Sequence, residues 1–438
     1  MARKVFLSVL GTGNYSECTY TYEFDNFKSA PVRFVQEATL SLIGIQQWKA
    51  SDSLHIFLTQ QARKTNWEDG SFTNKYTGEK TDTEGLKKRL EKLSIPCQIN
   101  PINIPDGKNE HEIWDIFEII FDSLENDDEL YFDLTHGFRY LPMLVLVLGN
   151  YAKTLKNIKV HHISYGNFEA RNSENEAPII KLNTLSTLQD WSSASNVYLR
   201  NGNVGLLTSL CNETMGPIIQ ATKGQNKQAA NVKKFATLLK NIVDERTTCR
   251  GKAIIYSDNI MKIKGILKEL QDTSIKPFDP LFQKLRESFN SFDDKENIQN
   301  GFEAARWCLQ NELYQQAITI FHENIATLIC TQIEGFDWSD KKYRGAVTAA
   351  LYVKQNNTPE DEWILHKVEP SEAVQLIKKA LHNELLQIIE PYYTRMNNLR
   401  NDINHSGIVQ NAIPADKLKR SIEEQIDTIT QLIKDYVH

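Results

Sequence analysis

Strand signals in this chain stop at about residue 186 of 438, and everything after that point reads as helix. This break limits the fold more than any single motif. Candidate strands are Lys4–Leu10, Leu54–Thr59, Cys97–Asn103, Glu129–Leu134, Val160–Tyr165 and Ile179–Leu182. Helical patterns lie between them at Phe34–Ile45, Thr83–Leu93, His111–Leu124 and Tyr140–Leu155. Such alternation predicts a mostly parallel sheet with helices on both faces. Cys18–Phe24 alternates Thr and Tyr with other residues and reads as an additional edge strand.

Residues 186–300 are polar and helical, with loops expected at Thr222–Gln228 and Thr273–Pro280. Residues 301–438 form a denser all-α block with helical patterns at Phe302–Gln310, Tyr314–Ile333, Ser371–Ile389, Tyr392–Asn404 and Pro414–Tyr436. Pro391 is expected to separate two of these helices. The chain thus reads as an α/β domain over 1–185, a helical linker region over 186–300 and an all-α domain over 301–438.

Composition is that of a globular protein, with 41% hydrophobic and 24% charged residues. No run approaches the roughly 20 apolar residues of a membrane span. The apolar stretch Val5–Leu10 is too short for a signal peptide and is expected to be the first strand. The six cysteines are scattered without a Cys-x-x-Cys pair, which points to reduced thiols of a cytoplasmic protein rather than zinc or redox work. Net charge is −6, so any nucleic-acid contact has to come from a local patch.

Three strand ends carry chemistry. Asp133-Leu134-Thr135-His136-Gly137 follows a strand and precedes the apolar helix that begins Phe138-Arg139-Tyr140-Leu141-Pro142. A strand-to-helix turn of this kind aims backbone N–H groups, Thr135 and His136 at an anion such as a phosphate. Gly11-Thr12-Gly13-Asn14-Tyr15 follows the first strand, its glycines allowing close approach to a ligand. Ser16 stands where a third glycine would complete a dinucleotide fingerprint. Thr59-Gln60-Gln61-Ala62-Arg63 follows the second strand, with Asn66-Trp67 close behind. Three loops at carboxyl ends of one sheet form a single crevice, with Tyr165–Glu169 as a rim or a simple turn.

A second constellation lies near the C-terminus, in Arg400-Asn401-Asp402-Ile403-Asn404-His405 ahead of Ser406-Gly407. Arginine offers a fixed positive fork for a phosphodiester, and histidine moves protons near neutral pH. Together they suit attack of an RNA 2′-OH on the adjacent phosphate without a metal. At about 100° per residue, Asn401 and His405 share a helix face while Arg400 lies roughly 140° round from His405. One such helix makes a poor site alone, and two copies across a two-fold axis make a better one. Glu323, in the stretch from Tyr314, has two readings: a partner orienting Arg400, or an ordinary surface acid.

The Asp-x-Thr-His-Gly turn, the Gly-Thr-Gly-Asn-Tyr loop and the Arg-Asn-x-x-x-His motif together resemble the CRISPR-associated DxTHG-motif proteins of type III systems. That resemblance implies a Rossmann-like CARF domain that senses cyclic oligoadenylate, followed by a C-terminal HEPN ribonuclease domain. It implies a homodimer in which the messenger switches on metal-independent cleavage of single-stranded RNA. Four adenylates are favoured over six as the ring, and no other cofactor is implied. By matching motif positions and neighbouring loops, Gly11, Thr12, Gly13, Asn14, Thr59, Gln60, Ala62, Thr135, His136 and Gly137 bind the ring. Arg400, Asn401 and His405 cut. Four residues separate Arg400 from His405, where the family often has up to six; the essential pair is kept. Two further readings stand beside this one. The helical domain is a non-catalytic adaptor, or the CARF domain itself degrades its ring with Thr135 or His136 assisting.

Overall fold

A computed structural model describes residues 2–23, 26–73, 80–137, 140–270 and 279–437. The expected loop Thr273–Pro280 falls largely outside them, as do Phe138 and Arg139 ahead of the apolar helix and Phe24 at the end of the expected edge strand. The chain divides into two compact units, Met1–Gln189 and Asp190–His438.

The first unit is an eight-stranded sheet with a small hairpin. Its strands are β1 (Lys4–Leu10), β2 (Thr19–Tyr22), β3 (Phe27–Lys28), β4 (Ser53–Leu58), β5 (Gly70–Thr73), β6 (Lys80–Thr83), β7 (Gln98–Asn103), β8 (Glu129–Asp133), β9 (Lys159–Gly166) and β10 (Glu176–Lys181). The order is β3-β2-β10-β9-β8-β1-β4-β7, and β5 pairs with β6 apart from it. From β9 to β7 all neighbours are parallel. β10 runs antiparallel to β9, and β3 antiparallel to β2.

The sequence explains this layering. Val5 through Leu10 are all buried, the continuous run expected of a parallel strand covered on both faces. Val5, Leu7 and Val9 join one core with Ile116, Ile120 and Leu148 from helices Glu110–Asp122 and Leu141–Lys156. Phe6 and Leu10 alternate to the other face, against Phe34, Leu40 and Leu86. β7 carries Pro101 and is largely exposed, as fits an edge strand. The Cys18–Phe24 reading corresponds to β2, which lies one strand in from the edge because β3 pairs along its outer side. The β5–β6 hairpin has no counterpart in the sequence reading: Thr83, read as the start of a helix, ends β6, and the helix begins at Leu86.

The second unit is helical. The stretch read as a linker packs within it: Arg246 of helix Lys227–Thr247 is fully buried, its guanidinium 4.2 Å from the Phe292 ring and 4.6 Å from that of Trp307. These two aromatic faces replace part of the hydration the cation loses.

Two helix boundaries correct the sequence reading. A single helix over Ser371–Ile389 was expected, yet one helix ends at Leu381 and the next runs from Glu384 to Asn404. Asn383 starts the second by accepting from the Leu386 N–H, a standard N-cap. Pro391 does not separate helices; it lies inside Glu384–Asn404. It is exposed, and the loss of one backbone hydrogen bond is outweighed by burial of Leu386, Ile389, Tyr393, Met396 and Leu399 along the opposite face. One continuous helix therefore leads into Arg400 and His405. Among the described residues, no helix is long and apolar enough to cross a membrane.

Candidate ligand cradle and candidate cleavage site

The strand order reverses at β1: β4 and β7 lie to one side, β8 and β9 to the other. The crevice at such a switch point is where open α/β sheets bind ligands. The Gly11–Asn14 loop leaves β1, and the Asp133–Gly137 turn leaves its neighbour β8. Register pairs Ser8 with Asp133, and this pairing organises the turn. The buried Asp133 carboxylate accepts from Ser8 Oγ at 2.9 Å, Thr135 N at 3.1 Å and Thr135 Oγ1 at 2.5 Å. Gln36 in turn donates to Ser8 Oγ at 3.0 Å. Burial pushes the Asp133 carboxyl upward, while the bonds from Thr135 and Ser8 oppose that shift.

Thr135 Oγ1 also accepts from Gly166 N at 2.8 Å, so its hydroxyl ties the turn to the end of β9. Gly137 has φ +122°, and a Cβ there would meet Leu141 Cδ1 at 2.7 Å, so only glycine fits. The Gly11 loop is pinned from outside. Asn66 Nδ2 donates to the carbonyls of Gly11 and Gly13, both at 2.9 Å, and Arg33 supports Asn66 Oδ1 at 3.4 Å. Tyr15 lays its ring 4.3 Å from that of His136, joining the two loops.

The ten predicted ring contacts therefore sort by exposure. Thr12, Gly13, Asn14, Gln60 and Gly137 are exposed, and Gly11, Thr135 and His136 are half-buried. Thr59 and Ala62 are buried, and the Thr59 hydroxyl is engaged in accepting from Ala62 N at 3.1 Å. These two shape the third loop from beneath. Sequence reasoning missed Ser8 and Gln36; the one polar residue inside an otherwise apolar strand was the available signal for Ser8.

Desolvation lowers His136 to about 4, so at neutral pH it presents an uncharged imidazole. His55 and His162 are lowered to about 4 as well, burial again being the main cause. Unfolded histidine titrates near 6.5, so between these values the unfolded chain binds more protons than the folded one. Stability is therefore lost as pH falls from about 6.5 to about 4, by at most roughly 1.4 kcal/mol per pH unit for each histidine. Calorimetric scans of the full chain should show a lower Tm for this unit at pH 5 than at pH 7. An unchanged Tm would contradict the desolvation of these three imidazoles.

In the helical unit, Arg400 is half-buried and its Nη2 lies 3.4 Å from Glu323 Oε1. Glu323 Oε2 pairs with Arg344 Nη2 at 2.8 Å, and the Glu323 carbonyl accepts from the same nitrogen at 2.9 Å. His322 Nδ1 is 3.5 Å from Glu323 Oε1, and His322 and Arg344 hold the Glu323 carboxyl down at about 2. Of the two readings of Glu323, the one that joins it to Arg400 holds. Arg344, on helix Lys341–Asn356, had no sequence signal. Asn401 and His405 are exposed, His405 at the helix C-cap. Within one chain Arg400 thus turns to Glu323 while His405 faces outward.

A mostly parallel sheet that reverses strand order at β1, with loops leaving its strand ends, belongs to the doubly wound α/β class. Residues 5–173 match the family model described as "CRISPR system endoribonuclease Csx1, CARF domain". The chain is also 24% identical over 272 residues to the CRISPR-associated protein MJ1674 of Methanocaldococcus jannaschii, covering 59% of this chain and 39% of that protein. The N-terminal unit is a CARF domain, and the chain is similar in part to a CRISPR-associated protein. Its helical unit lies outside the family match.

Proposed function

We propose that this protein is a metal-independent endoribonuclease of type III CRISPR defence, activated by cyclic oligoadenylate and cutting single-stranded RNA. The observation that carries this reading is the Arg400–Glu323 pair five residues before an exposed His405, in a chain with a CARF cradle. Arg400 would stabilise charge on the phosphorane, His405 would transfer the proton, and Asn401 would hold its neighbours. Because His405 faces outward, two copies would complete one site. Ring binding to the CARF pair would then favour the competent arrangement by differential affinity.

Dimerisation has support of its own. Met143, Val147, Tyr151 and Leu155 recur every fourth residue of helix Leu141–Lys156, and all are exposed. Trp114 extends this apolar face, joined to Tyr151 through the Phe117 ring. A contiguous stripe of this kind marks an association surface. Val147→Glu should convert dimers to monomers in light scattering; dimers that persist would remove the helix from the interface.

The test of the function is a fluorescent RNA cleavage assay with cyclic tri-, tetra- and hexa-adenylate, with and without EDTA. Cleavage stimulated by one ring size and unaffected by EDTA supports the reading. Tight ring binding with no cleavage would turn the helical unit into an adaptor.

A further inference from the structure

The helical unit holds a cavity of about 250 Å³ beside the Arg400 partner. Its wall includes Glu323, Arg344, Asn324, Thr319, Lys252 and Trp338. We infer that this cavity binds one nucleotide of the single-stranded RNA, its base against Trp338 and its phosphate at Lys252. The inference rests on the ribonuclease reading above and names a subsite for its substrate.

Three observations carry it. The first is size: 250 Å³ is room for about eight waters at ~30 Å³ each, enough for a splayed-out base and too little for a duplex. The second is chemistry. A half-buried indole, braced by the Tyr256 ring at 5.6 Å, shares the cavity with an exposed lysine and with amide and hydroxyl groups. Stacking surface, cation and hydrogen-bonding groups together are what an unpaired nucleotide requires. Arg344, Arg400 and Lys252 also outnumber the nearby carboxylates Glu323 and Asp337, so the surroundings favour an anion.

The third observation is connection. Arg344 Nη1 donates to Thr327 Oγ1 and reaches the Trp338 carbonyl at 3.5 Å, while Nη2 holds Glu323. Glu323 holds Arg400. A single arginine thereby ties the segment carrying Trp338 to the carboxylate that orients Arg400. A base seated on Trp338 would be placed at a fixed distance from Arg400, which makes the cavity a selector of the nucleotide flanking the cut.

The experiment uses the full chain with its activating ring and short fluorescent single-stranded RNAs of differing base composition. Trp338→Ala should raise KM roughly 5- to 100-fold with little change in kcat, and should flatten the base preference at the cut. Lys252→Glu, at an exposed position, should weaken RNA binding and make it less salt-dependent. Unchanged KM and cleavage pattern in both variants would overturn the subsite while leaving the ribonuclease intact. RNA binding is measured in parallel by anisotropy in an Arg400→Ala background. If no cleavage is ever seen, binding weakened by Trp338→Ala still supports the subsite, and equal binding overturns it. Displacement of the RNA by polyglutamate but not by nucleoside monophosphates would also overturn it, assigning the cavity to an acidic peptide.

Discussion

Arg400→Ala is expected to lower ring-stimulated RNA cleavage roughly 10²- to 10³-fold, the usual loss when one donor to a developing anion is removed. His405→Ala should cost roughly 10²- to 10⁴-fold, as for a general acid–base group. Neither change should unfold the chain. His405 is exposed, and Arg400 is only partly buried, beside a carboxylate that keeps Arg344 as a second partner. Glu323→Gln should retain a fraction of activity, because the arginine stays present but is no longer aimed. Cleavage by Arg400→Ala at the parental rate, with the ring bound, would remove this helix from the chemistry.

Asp133→Ala is expected to destabilise the CARF unit by about 3–5 kcal/mol, from three donors left without their acceptor at roughly 1–3 kcal/mol each, less relaxation. The replaced carboxylate carries its own burial cost, which explains why the expected loss lies below the full sum. Asp133→Asn should fall between, since its amide keeps one acceptor but sets an NH2 group against Ser8 or Thr135. Ring affinity should fall with stability, because Asp133 holds the turn that presents His136 and Gly137. Thermal and chemical denaturation monitored on this unit would check it, and a loss under 1 kcal/mol would show the network is not structural. By contrast, His136→Ala should blunt activation or ring turnover and leave the cleavage proposed for Arg400 and His405 in place.

Much of the CARF unit was legible because its signals are local. β1 appears at the boundaries its apolar run predicts, and β4, β8 and β9 shift by one residue or so. The hairpin β5–β6 was not legible, since its Gly, Ser and Thr residues carry no apolar alternation. In the helical unit the proline at 391 misled, because a local penalty was overridden by a long buried face, whereas Asn383 supplied the actual boundary.

The sequence by itself determined the parallel-sheet domain, the placing of three loops at strand ends, and the Arg400–His405 spacing. These follow from backbone preference and residue period, which act over a few neighbours. Only the tertiary structure decided which polar groups are spent and which remain to act. Thr135 turned out to bridge Asp133 and Gly166, and Arg400 to share Glu323 with Arg344. Such partners are chosen by which strands and helices the core sets side by side, and that choice spans tens of residues. The same packing, not any motif, joined the cavity beside Trp338 to Arg400.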